Sequence, residues 1–431
     1  MLDRIRQVFA IEELRKRILY TLVMLLIFRI GSYIPVPGVD TKQLAEVLSG
    51  AFGAGLFQFI NLFTGGALQR FSLFGLGVIP YINASIILSL LIPVFPKLKE
   101  LQQQGREGRR KLTQYTRWGT VGLALLQAYA MSFLVIRYGL AQPTVGFFLT
   151  CIVALTTGTI FLMWIGERIT ENGIGNGISM IIMAGIIARF PGQLQQTYLE
   201  ISAGTVSPIW AVGLLLVFIV VIAGTVVIQQ GQRKIPIQYA KRTAGRRVYG
   251  GHTAHLPIRV NQGGVIPIIF ASAILTLPSS IAAWVPGLQW LQSYLAPGSL
   301  IYLIAYVLLI CFFTYFYSSL IFDPNDLAKN LREAGGFIPG VRPGEPTARY
   351  LTDVTGRLLV VGAMFLSAIA VLPYIFKAVS NIRSFWLGGT SLLIVVGVGI
   401  DTIMQIEAHL VMRQYESLVK GAAFLGGRKG G

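Results

Sequence analysis

Residues 229–264 read QQGQRKIPIQYAKRTAGRRVYGGHTAHLPIRVNQGG, with seven Lys/Arg (Arg233, Lys234, Lys241, Arg242, Arg246, Arg247, Arg259) and no Asp or Glu. A solvated loop needs charge, but not charge of one sign. An acid-free basic run draws phosphate, on anionic lipid head groups or on nucleic acid, and it also marks the cytoplasmic side of a membrane protein. Topology alone would account for the sign. A recognition role has to be argued from the rest of the chain, which this loop divides into two long apolar halves.

Of the 431 residues, 54% are hydrophobic and 13% charged, with a mean hydropathy of +0.66. No soluble domain of ordinary surface polarity has that balance, so a multi-span membrane protein is predicted. The formal net charge of +18 must then collect in loops. Charge-poor runs long enough to cross about 30 Å of hydrocarbon fall near 18–34, 73–93, 118–136, 145–165, 174–189, 208–228, 265–285, 299–321, 356–376 and 387–405, ten in all. With the N-terminus inside, the inner segments hold 29 of the 36 Lys/Arg, the outer ones six, and Arg29 is left within the first run. This bias places both termini in the cytoplasm. The basic start and the first apolar run lack a small-residue cleavage site before IPVPG (34–38), which predicts a retained span and not a signal peptide.

The predicted organisation is an amphipathic surface helix at 1–17, a five-span half over 18–189, the basic loop 229–264, a second five-span half over 208–405 that includes a polar loop at 322–357, and a cytoplasmic tail at 406–431. An odd number of spans in each half makes the second insert upside down relative to the first. Within the basic loop, RKIPIQYA and HLPIRV are strand-like and flank a turn at Gly245, which predicts a hairpin whose tip carries Lys241, Arg242, Arg246 and Arg247. In the second loop, Asp323 and Pro324 open a helix that Gly335 and Gly336 close. Its charges are mixed in sign, which suits a protein partner.

Between Gly53 and Gly66, the run LFQFINLFT is too short to span and too apolar to leave in water. It fits a re-entrant half helix, or an interfacial helix on the outer leaflet. The next span holds Pro80, Asn83 and Ser85 and should face protein or water on one side, since a mid-span proline frees a carbonyl. NGIGNGIS at 172–179 lacks the GxGxxG spacing and a preceding strand, so close helix packing is the better reading. Cys151 and Cys311 lie in apolar runs without a CxxC partner; His252, His255 and His409 lie in or beside loops. No nucleotide, metal or catalytic motif is present, and no cofactor or enzymatic role is predicted. Asp401 is the one acid within the spans, which disfavours an ion-coupled solute transporter of the inverted-repeat type, the alternative class.

IPVPG, FTGGALQRFSLFGLGVIPYINASII (63–87), EGRRKLTQYTR (107–117), NGIGNGISMII (172–182), YAKRTAGRRVYGG (239–251), HLPIRVNQGGVIPIIFAS (255–272), FIPGVRPGEPTARY (337–350), LGGTSLLIVV (387–396) and RQYES (413–417) closely resemble the SecY/Sec61 alpha family of protein-translocation channels. The resemblance runs over essentially the whole chain in unbroken order. It implies an all-α clamshell of ten membrane helices around a central pore in the bacterial inner membrane, through which unfolded secretory polypeptides cross and from which membrane spans leave sideways into lipid. By resemblance the pore ring is Val78, Ile82, Ile178, Ile182, Ile269 and Ile394. The plug helix falls on 56–67, with Leu56, Phe57, Phe59, Ile60, Asn61, Leu62, Phe63, Gly65 and Gly66. Asn83 and Gln127 match polar lateral-gate positions, while Leu277 stands where some members carry a third polar group. Lys241, Arg242, Arg246, Arg247 and Arg342 match the surface that docks the ribosome, including its RNA, and the SecA motor ATPase. SecE and SecG subunits, signal sequences and nascent polypeptides are the other partners implied.

Overall fold

The computed structural model describes residues 11–41, 43–44, 61, 63–204, 207–239, 242–244, 247–249, 253–284, 294–295, 298–380 and 389–426. It divides into two compact units: one runs through Leu194 and takes the chain back from Val398, the other is Gln195–Gly397. The first unit contains α1 (Glu12–Gly31), α2 (Ile79–Leu91), α3 (Pro96–Gln103), α4 (Arg106–Arg137), α5 (Val145–Asn172) and most of α6 (Gly177–Ser202). The second contains α7 (Pro208–Gln230), strands β1 (Gln232–Tyr239), β2 (Arg242–Ala244), β3 (Arg247–Tyr249) and β4 (Thr253–Arg259), α8 (Ile266–Trp284), α9 (Leu300–Ile321), α10 (Pro324–Glu333), β5 (Gly336–Phe337) and α11 (Glu345–Ser380). The last helix, α12 (Gly389–Gly426), starts in the second unit and ends in the first.

Each predicted span holds a helix, and among the described residues seven helices are long and apolar enough to cross a membrane, or eight if the bent pair α2–α3 is one span. Their outward faces are greasy: Trp118, Ile209, Leu300 and Leu308 are all exposed. In water such faces would aggregate; against hydrocarbon they are the correct surface. Buried hydroxyls close onto their own helices, as Thr120 to the Thr116 carbonyl at 2.7 Å, Thr225 to Val221 at 2.7 Å and Thr314 to Ile310 at 2.7 Å. Such bonds let a hydroxyl sit inside a helix bundle without an unpaired donor.

Two predicted boundaries move. Glu12–Arg17 are not a separate surface helix: they are the first turns of α1, which runs without a break into the apolar run. The run 73–93 is helical only over Ile79–Leu91, so Pro80 lies in the first turn and frees no carbonyl. Pro93 and Pro96 prevent the helix from continuing, and α3 leaves at 102° to α2.

Residues 64–78, ahead of α2, form an irregular knot. It stands on the segment that follows α1, through Val36 N–H to the Phe71 carbonyl at 2.9 Å and Leu73 N–H to the Ile34 carbonyl at 2.9 Å. Phe71 takes a left-handed φ of 44°, a strain that a fully buried ring in the cluster with Val36, Leu76, Val135 and Leu155 offsets. Two glycines allow the approach: a Cβ on Gly31 would enter the Phe74 ring, and one on Gly158 would enter the Leu73 carbonyl.

Gly158→Ala is therefore expected to lower stability by about 1–3 kcal/mol through overpacking. Gly146→Ala, on the same helix with nothing within 4 Å of its Cβ, should be neutral or slightly stabilising. Thermal unfolding of the two variants in detergent measures this, and equal midpoints would contradict the close approach.

Candidate functional site

The two polar loops of the second unit form one body. β1 and β4 pair antiparallel with Ile235 opposite Leu256 and Lys234 opposite Pro257. The other edge of β1 takes β5, with Gln238 opposite Phe337 and Tyr239 opposite Gly336, so a segment from the second loop completes the sheet of the first. A Cβ on Gly336 would lie 3.0 Å from the Tyr239 ring and 3.1 Å from Ile237, which explains why glycine closes this edge. Alternation along β1 buries Ile235 and Ile237 and leaves Lys234, Pro236 and Gln238 in solvent; Arg233, near the start of the strand, is exposed as well. Beneath the sheet Ile235, Ile258, Ile338 and Leu351 form a small core, backed by Leu256, Phe322 and Val354.

α10 is built as predicted. The Asp323 carboxylate accepts from the N–H of Asn325 at 2.9 Å and of Asp326 at 3.4 Å, with Pro324 at the first position. Gly335 follows the helix with φ 72°. In the turn that follows, the Thr347 hydroxyl donates to the Arg342 carbonyl at 2.8 Å, fixing the backbone from which the exposed Arg342 side chain projects.

At the foot of the sheet, Val260 N–H donates to the Gly231 carbonyl at 3.0 Å and Gln262 accepts from the Ser318 hydroxyl at 2.5 Å. A Cβ on Gly362 of α11 would come within 2.8 Å of the Val260 carbonyl. The sheet is thus keyed into α7, α9 and α11. Toward its tip, β2 and β3 pair with Arg242 opposite Tyr249 and Ala244 opposite Arg247. This is the hairpin expected from the strand-like flanks; Lys241, Gly245 and Arg246 lie outside the described residues. Arg233, Lys234 and Arg259 add exposed positive charge along β1 and β4.

In the first unit, Val78 caps α2 and is buried, and Ile82 follows one turn later, its N–H bonded to the Val78 carbonyl at 3.0 Å. Ile178 and Ile182 are one turn apart at the start of α6; Ile182 is buried and Ile178 packs onto Gly166 of α5. In the second unit Ile269 sits in the first turn of α8, half-buried, and Ile394 near the start of α12, buried. Asn83 on α2 and Gln127 on α4 are half-buried, and no hydrogen bond joins their amides among the described residues. Leu277 lies within α8.

Of the predicted plug positions, Leu56, Phe57, Phe59, Ile60 and Leu62 lie outside the described residues. Asn61, Phe63, Gly65 and Gly66 are buried. Asn61 closes the segment on itself, accepting from the N–H of Gly66 through its carbonyl at 3.0 Å and from the N–H of Gln69 through its side chain at 3.2 Å.

The NGIGNG turn is a packing junction, as its spacing suggested. Ile174 N–H donates to the Thr21 hydroxyl at 3.0 Å, Gly175 N–H to Gln405 Oε1 at 2.9 Å and Gly177 N–H to the Thr170 hydroxyl at 2.9 Å. Loop charges alone did not reveal the bidentate pair between Arg117 and Glu167, at 2.7 and 2.9 Å, which clamps the start of α4 to the end of α5. The hydrogen-bonded carboxylate of Glu167 holds the Arg117 guanidinium above its usual range.

A sequence profile of the SecY family matches residues 72–403. "Protein translocase subunit SecY" of Thermotoga maritima is 46% identical over 437 residues, covering 99% of this chain and 100% of that protein. Its counterpart in Escherichia coli K12 is 45% identical over 436 residues, covering 97% and 96%. Among solved structures, "The structure of a protein conducting channel" superposes with a TM-score of 0.63 at 20% identity, covering 91% of this chain and 92% of that one. "Sec61 in the Canine ribosome-channel complex from the endoplasmic reticulum" does so at 0.59 and 19%, with coverage of 91% and 92%.

If the two loops share one core, Leu351→Ala should cost about 2–5 kcal/mol locally and raise amide exchange in β1 and β5 together. Phe337→Ala, at an exposed position of β5, should leave both protected. Exchange that rises in one loop alone would contradict a shared core.

Proposed function

The chain belongs to the SecY family, and on that premise we propose that it works as the Sec channel through four parts of its own: a seal, a ring, a gate and a docking platform. As the channel-forming subunit of a translocon it is a multi-pass membrane protein that passes polypeptides. The observation that carries this reading is identity at 46% over 99% of the chain and the whole of a curated relative, too extensive for a shared scaffold with a new task.

Ten spans in two inverted halves surround a pore in the bacterial inner membrane, with both termini and both long loops in the cytoplasm, consistent with the charge bias. Val78, Ile82, Ile178, Ile182, Ile269 and Ile394 line its waist. Aliphatic side chains dewet a constriction and block ions, yet make no directed hydrogen bonds, so they fit around a passing chain of any sequence. The segment at 56–67 plugs the outer side. Asn83 and Gln127 lie on α2 and α4, neighbours that pack together, and would mark where a signal sequence or membrane span leaves for lipid.

The channel itself carries no motor, so polypeptide movement must be driven from outside. The keyed sheet is suited to that: it is rigid, it projects basic residues, and its foot reaches three membrane helices. The ribosome and SecA dock on Lys241, Arg242, Arg246, Arg247 and Arg342, and SecE and SecG complete the complex. Positive charge at the tip meets ribosomal RNA through counterion release, and anionic lipids steady the loop bases.

In proteoliposomes the complex should move an unfolded secretory precursor when SecA or a translating ribosome is supplied. Arg246→Glu with Arg247→Glu should weaken ribosome binding by about tenfold or more near 0.1 M salt, by a factor that shrinks as salt rises, while membrane insertion is unchanged. Binding that is the same at every salt concentration would overturn the docking assignment, and accumulation of a small solute without ribosome or SecA would overturn the channel.

A further inference from the structure

Arg29 lies in the last turn of α1, within the first apolar run. A cation at such a depth is costly and calls for a partner and a purpose. Among the described residues its partners are neutral. Nη1 donates to the Gly65 carbonyl at 3.0 Å and Nη2 to the Tyr33 hydroxyl at 2.9 Å, with the guanidinium 4.8 Å from the centre of the Tyr33 ring. Arg70 covers the same ring at 4.0 Å. Two cations thus lie close to one ring, which suits its π system, and the Tyr33 hydroxyl holds Arg29 where it can reach Gly65. The helix C-terminus adds its own negative end.

The segment also rests on α6, next to the Arg29 contact: a Cβ on Gly65 would lie 3.0 Å from Gly185 Cα and 3.6 Å from Arg29 Nη1. A Cβ on Gly185 would lie 3.0 Å from the Phe63 carbonyl oxygen and 3.2 Å from the Gly65 nitrogen, so the two backbones meet with no side chain between them. The hydrogen bond from Gly66 N–H to the Asn61 carbonyl is made within the segment and travels with it when it moves. The bond from Arg29 does not. Gly65 itself has φ 65°, a conformation in which its carbonyl is offered to α1 at no steric cost to glycine.

We propose that Arg29 is a positioning residue that latches Asn61 and residues 63–66 shut through the Gly65 carbonyl, with Gly185 of α6 as their seat. The proposal rests on the plug reading above. Withdrawal of the segment takes the acceptor from Arg29. Opening therefore costs a charge-assisted hydrogen bond that must be regained elsewhere, from water or from the engaged polypeptide. The latch sets how readily the resting channel opens; it plays no part in moving the chain.

The test is resting ion conductance of the complex, purified with its co-purifying subunits, in planar bilayers. Five forms are compared with the intact protein: Arg29→Met, Arg29→Lys, Gly185→Ala, a deletion of 56–67, and that deletion combined with Arg29→Met. Loss of one charge-assisted hydrogen bond should raise the resting open probability of Arg29→Met roughly tenfold or more. Arg29→Lys, which keeps one donor, should fall between. Gly185→Ala should leak as well, although alanine favours its helix, so a general loss of fold does not explain that result. Adding Arg29→Met to the deletion should add nothing, because the latch then has nothing to hold. A deletion that leaks while Arg29→Met and Gly185→Ala remain tight overturns the latch and leaves the plug standing. A deletion that does not leak overturns the plug reading. Additive leak in the combined variant also overturns the latch.

Discussion

Backbone amides in hydrocarbon have no water to turn to, and this chain places fifteen consecutive residues of irregular backbone, 64–78, ahead of a membrane helix. Such a stretch is tolerable only if protein surrounds it. The structure meets that demand locally: the segment after α1 supplies hydrogen-bond partners at Ile34 and Val36, Gly31 and Gly158 remove the side chains that would keep the segment out, and a buried core accepts the strained Phe71. Much else follows from this arrangement. The start of α2 is set at Ile79, its proline becomes a helix opener, and Val78 is buried at the cap. A segment that has to be sealed by its neighbours is also one whose release has a defined cost.

The second unit answers a different constraint. A basic loop long enough to reach a large partner would flex if left to itself. Here it is stiffened by two residues borrowed from another loop, by a core of four buried side chains, and by glycines at its foot that let the strand ends touch α7 and α11. The result is a platform rather than a tether. Force applied to such a platform passes into helices, and α8, with Ile269, begins a few residues beyond its foot.

Much of this was legible in the sequence, unevenly so. Hydropathy located a helix in every predicted span, because burial in lipid is written in composition. It misplaced the start of α2, since FSLFGLGVIP is apolar whether its backbone is helical or not. Asp323, Pro324 and Gly335 announced α10 by local rules. The hairpin was visible from its flanks, but β5 was not: two residues without alternation carry no strand signal, and Gly336 is explained only by the tyrosine it meets. NGIGNG could be read as a packing turn, though nothing along the chain pointed to Gln405 as its partner. The residues proposed for the ring and the gate are distinguished from ordinary packing only by family resemblance, and Arg29 is simply left within the first apolar run, with no acceptor apparent in the sequence.

On the proposed mechanism, residues 63–78 are sealed by protein at rest and 63–66 are released when a polypeptide engages. Hydrogen exchange over this stretch, resting and with an arrested secretory precursor in the channel, is the measurement that decides it. Exchange should be slow throughout at rest, then faster over 63–66 while 71–78 stays protected. Fast exchange across the whole stretch at rest, or no change on engagement, would contradict it.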